Sequence, residues 1–540
     1  MKKLVTLLLA VALAAAVCMP AMGEVVYPLV QPGESITLRV VFSKNAIAKP
    51  LAEMKIIKDL QEISGVTFDI VEIPSDGFDE KKNLMIVSGD LPDVFFQGLN
   101  TNDIINYKDQ DIFIPVTELI ETSMPNLKGI LDTHPEYKAA MVAPDGEIWG
   151  FPRIEEMYGL VCNQGILSVN QTWLTQLGLS IPKTVDEFKD MLIAFRDGDP
   201  NGNGVADEIP FMFRIGESKI GSWRNNQSIG QFFGCWGQAD TGDRLALNDG
   251  KVISTAVTDA YKEGLKYFAD LWKEGLIDPD MPLNDGAAYQ AKLNANPAIV
   301  GAVEFFSIID VVPADRRAEY VAIPYLTGPN GEYGVKDNIS EMHSVVMAGI
   351  TTACKYPEIA ASVVDLSYDP QRSVEINWGP IDEYYELDPN GVMQWMTYDI
   401  LPAGIDTFSQ LRQYSTPVST NIVLNEYYDT VVAYPLDAAD LYSDMTKVGF
   451  IEKHLSDPII PPHMWYDPED QERISLISGQ IYNLIDNYNA TAITDGNVDA
   501  TWDAYIASLE TAGLSEYLSI VQKTYDAYAL VLDTFIAGVK

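Results

Sequence analysis

The sequence predicts an α/β fold with parallel sheets, and its opening elements carry this prediction. Residues 36–42 and 67–73 have the composition of strands, and residues 50–64 between them place apolar side chains at helical spacing. A helix over 79–88 and a short apolar run over 94–96 follow, which completes a β-α-β-α-β order. The chain has 540 residues, of which 47% are hydrophobic and 21% charged, so we expect two to four folded domains or lobes.

A sheet of this kind opens its ligand cleft at the carboxyl ends of its parallel strands, where the loops that follow them gather. Phe96 and Gln97 stand at the end of the third predicted strand. We therefore expect both residues to lie at the cleft.

The rest of the chain alternates helices and strands without internal repeats. Tyr158 begins a short strand candidate that runs to Cys162. Thr184 and Glu187 form a capping box for a helix over 185–196, because their side chains can satisfy amide donors at the helix start. Further elements are predicted as a helix over 259–273, strands over 299–305 and 320–323, and helices in the C-terminal part.

The N-terminus has the pattern of an export signal. Lys2 and Lys3 precede an apolar run over 4–17, and small residues fit cleavage after Gly23. This predicts a signal peptide and an extracytoplasmic mature protein. Cys18 leaves a second possibility open, which is cleavage before a cysteine that is then lipidated.

The charge balance and the cysteines exclude several classes of protein. A formal charge of −41 repels phosphate backbones and anionic lipid, so nucleic acid and acidic membranes are poor partners. Cys162, Cys235 and Cys354 follow the signal region and show no CxxC spacing. They are interpreted as small buried residues or as at most one disulfide, and not as a disulfide framework.

The most specific local motif is DGDPNGNGVADE, residues 197–208. Oxygen side chains at alternate positions, separated by glycines, suit the six to eight oxygen ligands of Ca²⁺. The calcium-loop template fits from Asp197 or, in a second register, from Asp199, and a solvated turn is the alternative. In the second register the ligands are Asp199, Asn201, Asn203, the Val205 carbonyl, Asp207 and Glu208. We expect a structural calcium ion, because no nucleophile accompanies the loop.

Catalytic motifs are not found in the sequence, whereas aromatic loops are common. No G-x-S-x-G, H-E-x-x-H or P-loop motif occurs, and the four histidines stand in unrelated settings. Trp223, Trp236 and Trp378 lie beside Gly, Asn or Pro, where an aromatic ring can stack on the face of a sugar. Arg214 also belongs to the predicted ligand-binding set, together with Tyr158.

Several motifs occur in order from about residue 88 to residue 386. They are SGDLPDVFF (88–96), GEIWGFP (146–152), NQTWLTQLGL (170–179), PKTVDEF (182–188), DPNGNG with DEIP (199–210), WKEGLIDPD (272–280) and WGPIDEYYE (378–386). With these motifs together, the sequence resembles bacterial extracellular solute-binding proteins of ABC importers, family 1, in particular the long, LplA-like, calcium-containing group related to alginate-oligosaccharide and maltose binders.

The resemblance implies a two-lobed, type II periplasmic-binding-protein-like fold, in which each lobe has a central sheet flanked by helices. It assigns calcium to the second-register ligands and sugar contacts to Gln97, Glu155 and Trp378. Pro380 stands where the family pattern usually has Glu, which leaves the sugar class open. The expected boundaries are a signal peptide at 1–23, a first lobe at 24–145 and 301–375, and a second lobe at 146–300 and 376–540 that includes the C-terminal helices.

The function that this resemblance implies is capture of an oligosaccharide between two lobes by hinge closure, followed by delivery to a membrane permease. A monomer without catalytic activity is expected. Two alternatives stay open at this stage. One is a secreted polysaccharide-active hydrolase or lyase, and the other is a peptide or amino-acid binder of the same fold, for which Arg153, Arg214 and Arg224 are candidate ligand contacts.

Overall fold

The computed structural model describes most of the chain between residues 25 and 539. The predicted signal peptide with Cys18, the strand candidate that begins at Tyr158 and contains Cys162, and Trp223 all lie outside the described residues. The described residues are 25–156, 166–215, 229–238, 240, 243–283, 286–305, 308, 311–313, 315–329, 342–396, 401–405, 408–428, 430–433, 460–461 and 464–539.

The strands of the described residues form two main sheets and two hairpins. In chain order the strands are β1 (Thr37–Lys44), β2 (Thr67–Pro74), β3 (Val94–Phe95), β4 (Phe151–Glu155), β5 (Ile166–Asn170), β6 (Ile209–Met212), β7 (Leu245–Asn248), β8 (Lys251–Ser254), β9 (Val300–Phe305), β10 (Tyr320–Ala322), β11 (Met342–Ile350), β12 (Tyr385–Leu387), β13 (Met393–Trp395) and β14 (Asn421–Val423). The larger sheet has the order β14-β4-β11-β3-β1-β2, and the smaller has the order β10-β5-β9-β6.

The sheets explain how the fold differs from the predicted lobe boundaries. Strands β4 and β14 lie in segments that we expected in the second lobe, yet both belong to the larger sheet. The helices and hairpin between residues 370 and 415 also pack in the first core. The difference arises because β4 pairs with β11, which follows it by nearly two hundred residues, and such long-range pairing leaves no local signal in the sequence.

Helices flank both sheets, as predicted. In chain order they are α1 (Lys55–Ser64), α2 (Phe78–Ser88), α3 (Thr101–Tyr107), α4 (Thr117–Ser123), α5 (Pro125–Thr133), α6 (Pro135–Met141), α7 (Gln171–Leu177), α8 (Val185–Asp197), α9 (Asp259–Lys273), α10 (Gly286–Leu293), α11 (Pro357–Asp365), α12 (Pro370–Trp378), α13 (Phe408–Ser415), α14 (Pro468–Asp495), α15 (Val498–Ala512) and α16 (Leu514–Val539). The predicted helix over 259–273 is confirmed as α9.

The predicted capping box of α8 has one of its two expected hydrogen bonds, and the second bond differs by one residue. The Thr184 hydroxyl accepts a hydrogen bond from the Glu187 amide at 3.1 Å, as a capping box requires. The Glu187 carboxylate accepts instead from the amide of Lys183 at 2.7 Å. The helix start is therefore satisfied by the two predicted side chains, with the return bond shifted by one residue.

Each lobe has its own hydrophobic core. The first core contains Phe42, Phe95 and Phe96 of the larger sheet, all of them fully buried. The second core lies around Phe211 and Phe268 and includes side chains of α14, α15 and α16. The C-terminal helices are therefore built into the second lobe rather than attached to its surface.

Two smaller expectations concern cysteines and membrane spans. Cys235 is buried and its thiol donates to the Leu326 carbonyl at 3.1 Å, in agreement with its interpretation as a small buried residue, whereas Cys354 is half-buried. Within the described part of the chain, no helix combines the length and the apolar character that a bilayer crossing requires.

Candidate functional site

One edge of the larger sheet collects polar side chains from several strands. Strands β1, β2, β3, β4 and β14 run parallel to one another, and β11 runs antiparallel between β3 and β4. Gln97 after β3, Glu155 at the end of β4 and His343 at the start of β11 therefore come to the same edge. This is the edge at which ligands bind in open α/β sheets.

A buried ionic cluster surrounds Glu155 at this edge. The Glu155 carboxylate accepts hydrogen bonds from Nδ2 of Asn377 at 2.7 Å and from a terminal nitrogen of Arg412 at 3.0 Å. A terminal nitrogen of Arg153 lies 3.6 Å from Oε2 of the same carboxylate, and Nε2 of His343 lies 3.5 Å from it. The Glu155 side chain is 2% exposed, whereas those of Arg153, Arg412 and His343 are 12%, 19% and 35% exposed. The donors that surround the carboxylate therefore reach the surface and Glu155 itself does not.

The charges within this cluster control its protonation. Burial alone would raise the pKa of Glu155, but the Arg412 guanidinium, His343 and Arg153 outweigh it and hold that pKa well below the usual range. Burial, followed by the neighbouring Arg412, lowers the pKa of Arg153 to about 10. At neutral pH, the cluster therefore contains the ionised Glu155 carboxylate beside the guanidinium groups of Arg153 and Arg412.

Trp378 lies at the end of α12, and its ring packs against the Arg412 guanidinium of the cluster. Its side chain is 4% exposed, and the Arg412 guanidinium carbon lies 5.6 Å from the centre of its ring. The helix ends there because Gly379 has a φ of +129°, which a residue with a side chain rarely adopts. Trp378 was predicted to stack on sugar, and the structure instead places its ring under Arg412 in the first core.

Helix α13 brings Arg412 to the cluster. The amide of Lys49 donates to the Tyr414 carbonyl at 3.1 Å, and the Asn45 side chain donates to Gln413 at 3.0 Å. These contacts hold α13 across the carboxyl ends of β1 and β4. Neither Asn377 nor Arg412 was predicted from the sequence. Only the adjacent Trp378 pointed to Asn377, and nothing pointed to Arg412.

Two oxygen atoms at this edge lack hydrogen-bond partners among the described residues. They are Oε1 of Gln97 and Oδ1 of Asn377, and both are buried. A buried acceptor without a partner costs about 1–3 kcal/mol, so such atoms commonly mark a site that a ligand or water completes. The edge thus combines acceptors with the guanidinium donors of Arg153 and Arg412.

The other predicted ligand contacts are distributed between the two lobes. Phe96 is 0% exposed and stacks on Phe42 at 5.1 Å between ring centres, so its ring belongs to the first core. Arg214 follows β6 and is half-buried, and its guanidinium lies near Tyr289, whose pKa is raised by burial and by Glu304 against the opposing effect of Arg214. Trp236 packs on the Tyr267 ring at 5.5 Å in the second lobe. The structure therefore places Glu155 and Trp378 around Arg412, puts Gln97 at the carboxyl end of another strand of the same sheet, and places Arg214 and Trp236 in the other lobe.

The predicted calcium loop folds as a compact turn after α8. Asp199 Oδ1 and Asn201 Oδ1 accept from the Asn203 amide at 3.1 and 3.0 Å, and the Asn203 side chain donates to Asp207 at 3.1 Å. The Glu208 Oε1 atom is buried and has no hydrogen-bond partner among the described residues. Asp197 is engaged elsewhere, because its carboxylate pairs with Arg196 at 2.7 Å.

The acidic side chains of this loop do not converge on one point. Within the described residues, no three His, Cys, Asp or Glu side chains lie close enough together to hold a metal ion. Asparagine and main-chain oxygens would therefore have to complete a calcium site here. Oxygen ligands of this kind suit Ca²⁺ and do not suit Zn²⁺.

Two sheet-centred lobes, with polar groups gathered at strand ends, define a protein that binds a small solute in a cleft. A family model for bacterial extracellular solute-binding proteins matches residues 47–371. The chain belongs to this family of bacterial extracellular solute-binding proteins.

Several characterised relatives share this fold. The fructooligosaccharide ABC transporter substrate-binding protein FusA of Streptococcus pneumoniae serotype 4 is 35% identical over 507 residues, which cover 92% of this chain and 91% of FusA. The structure of FusA in complex with kestose matches with a TM-score of 0.77 and 34% identity, over 92% of this chain and 99% of that chain. Another FusA structure is that of an EF-hand mutant in complex with fructo-nystose, with a TM-score of 0.76 and 34% identity over the same shares of the two chains.

A further structure supports the fold alone. The extracellular solute-binding protein of Bifidobacterium longum subsp. infantis has a TM-score of 0.81 and 24% identity, over 92% of this chain and 99% of that chain. The predicted two-lobed α/β fold is confirmed by these matches.

Proposed function

We propose that this chain is the extracytoplasmic solute-binding component of an ABC importer and that it captures a fructooligosaccharide between its two lobes. Contacts from both lobes would stabilise the closed state over the open one, and a membrane permease would then recognise the closed form. The observation that carries the proposal is the identity of 35% with FusA over 92% of the chain.

The polar edge of the larger sheet supports a sugar as the ligand. Each sugar hydroxyl can accept one hydrogen bond and donate another. Arg153, Arg412 and His343 can supply the donors, while Gln97 Oε1 and Asn377 Oδ1 can supply the acceptors. In this proposal Glu155 orients the donors, and Arg214 with Trp236 belongs to the opposing lobe.

The protein would bind its ligand without chemistry. Glu155 is the most buried acid of the edge, and both of its carboxylate oxygens accept hydrogen bonds. The pKa of this carboxyl group lies well below its usual range, because the neighbouring Arg412, His343 and Arg153 outweigh the effect of burial. A general acid needs a raised pKa, so this carboxylate is poorly suited to protonate a glycosidic oxygen. The geometry therefore favours binding over hydrolysis.

A structural calcium ion belongs to the same proposal. Asp199, Asn201, Asn203, the Val205 carbonyl, Asp207 and Glu208 would hold it, which is the register that begins at Asp199. Two observations support this register: the pairing of Asp197 with Arg196 and the contact of Asn203 with Asp207. The unsatisfied Glu208 oxygen supports a calcium ligand in either register. The existence of an EF-hand mutant of FusA is consistent with such a loop in the relative.

A thermal-shift screen with product analysis tests the proposed function. Kestose, other neutral oligosaccharides, uronates and peptides are each added to the mature protein. Kestose at about 100 times its Kd should stabilise the fold by about 2.7 kcal/mol, because it binds only the native state. Chromatography of the same samples should show no product. Time-dependent product formation would establish an enzyme, and stabilisation by peptides alone would contradict a sugar cleft.

A further inference from the structure

A buried lysine lies directly behind the proposed ligand edge. Lys82 is on α2, and its side chain is 1% exposed. Its Nζ lies 2.8 Å from Oδ2 of the buried Asp103, 3.0 Å from Oδ1 of Asp79 and 3.0 Å from the Gly98 carbonyl, to which it donates. Burying a charged pair brings a desolvation cost that a well-packed apolar pair avoids, so stability alone is a weak reason for it.

Two partners of Lys82, the Gly98 carbonyl and Asp103, belong to the loop and to the start of α3 that follow β3, whereas Asp79 lies on α2 with Lys82 itself. Oδ2 of Asp103 also accepts from the Asn100 amide at 3.0 Å, and the Asn100 side chain caps α3. The Gly98 φ is +87°, and a Cβ at this position would lie 2.2 Å from the Phe78 ring. The loop therefore has one tight conformation, and the lysine ammonium fixes its central carbonyl.

The residues on either side of Gln97 are both held by hydrogen bonds of their main-chain atoms. On one side the Phe96 amide donates to the Val41 carbonyl at 3.0 Å. On the other side the Gly98 carbonyl is held by Lys82. The Gln97 Oε1 atom is buried and has no hydrogen-bond partner among the described residues. Such an oxygen can accept from a ligand hydroxyl only where the loop backbone holds the side chain in the required position.

We propose that Lys82 is a positioning residue for Gln97, so that its bond to the Gly98 carbonyl presents the Gln97 amide to a ligand hydroxyl. This inference rests on the proposed function, because it assigns Gln97 to the sugar site. Lys82 acts through the loop and does not touch the ligand. Asp103 serves as its counter-ion and keeps the ammonium at the carbonyl.

The test is a double-mutant cycle on kestose affinity, measured by titration calorimetry. Lys82→Met is combined with Asp103→Asn, so that no charge is left buried without its partner. In the otherwise wild-type protein this pair of changes should raise the Kd for kestose by about tenfold, the value of one hydrogen bond to the ligand. In a Gln97→Ala background the same pair should change the Kd by less than about twofold. Lys81→Met, at an exposed position of the same helix, is the matched control.

Other outcomes overturn the inference. An equal loss of affinity with and without Gln97 would assign Lys82 a general structural role. An unchanged Kd in Gln97→Ala, or in the double variant, would also contradict it while leaving the proposed function intact. If wild type binds no sugar, the proposed function fails. Hydrogen exchange then tests whether Lys82 positions the loop at Gln97. Faster exchange confined to residues 96–100 of the double variant supports positioning, and unchanged exchange there contradicts it.

Discussion

Replacement of Glu155 by glutamine should lower the free energy of unfolding by about 3 kcal/mol and weaken kestose binding by at least about tenfold. The change removes the carboxylate that Arg153 and Arg412 share while leaving both guanidinium groups largely buried. Breaking a buried ion pair on one side typically costs about 3–5 kcal/mol. Affinity should fall as well, because the donors then lose the partner that orients them toward the cleft. Urea unfolding and calorimetric titration measure the two effects.

The low pKa of Glu155 also predicts how its contribution to the free energy of unfolding changes with pH. The pKa of Glu155 is held low in the folded protein, so its contribution to stability is present above the ordinary glutamate pKa and is lost as pH falls through the lower folded value. The difference in unfolding free energy between wild type and Glu155→Gln should therefore be largest near neutral pH and should shrink below about pH 4. Glu386→Gln removes the same charge from an exposed strand position and should have little effect. A Glu155→Gln protein as stable as this control would contradict the account.

Removal of calcium should lower the Tm by several degrees. A metal that binds only the folded state stabilises it by about 2.7 kcal/mol at 100 times its Kd, and that gain disappears in excess chelator. In the proposed loop the Glu208 oxygen is buried without a partner, so the metal-free loop also carries an unsatisfied acceptor. Scanning calorimetry of chelator-treated protein, before and after addition of Ca²⁺, measures the shift.

Two variants of the loop distinguish its possible registers. Asp199→Ala should abolish the calcium-dependent rise in Tm, because Asp199 is a ligand in both registers. Asp197→Ala should retain that rise, since the Asp197 carboxylate pairs with Arg196 at 2.7 Å. Loss of the calcium response in Asp197→Ala would favour the register that begins there. A full response in Asp199→Ala, or none in wild type, would eliminate the calcium site.

Local periodicity explains which elements the sequence could predict. The helix over 259–273 and the opening β-α-β-α-β order follow from side-chain spacing within each segment, and the structure has them at α9 and at β1 to β3. Strand β14 has three residues and pairs with β4, which precedes it by more than 250 positions. No feature of residues 421–423 indicates this partner, which is why the expected first lobe does not include β14.

The candidate site was predictable to the extent that its residues lie in recognisable motifs. Gln97 follows a predicted strand, and Glu155 follows the Phe-Pro turn of the GEIWGFP motif on which the family resemblance rests, so the sequence indicates both positions. Arg412 reaches Glu155 across 257 positions and stands in no motif. Trp378 is predicted as an aromatic sugar contact, but its ring is buried. Its neighbour Asn377 instead donates the hydrogen bond to Glu155. Long-range contacts of this kind are decided by packing and not by spacing along the chain.

Small-angle scattering with kestose tests the central claim most directly, because that claim is capture between two lobes by closure. The radius of gyration of the mature protein is measured without sugar and at a kestose concentration that calorimetry shows to be saturating, with Glu155→Gln as the control. We expect a smaller radius for wild type with kestose and, for Glu155→Gln at the same concentration, only the fraction of that decrease that its measured Kd predicts. A saturated wild-type protein whose radius does not change would contradict hinge closure around the sugar.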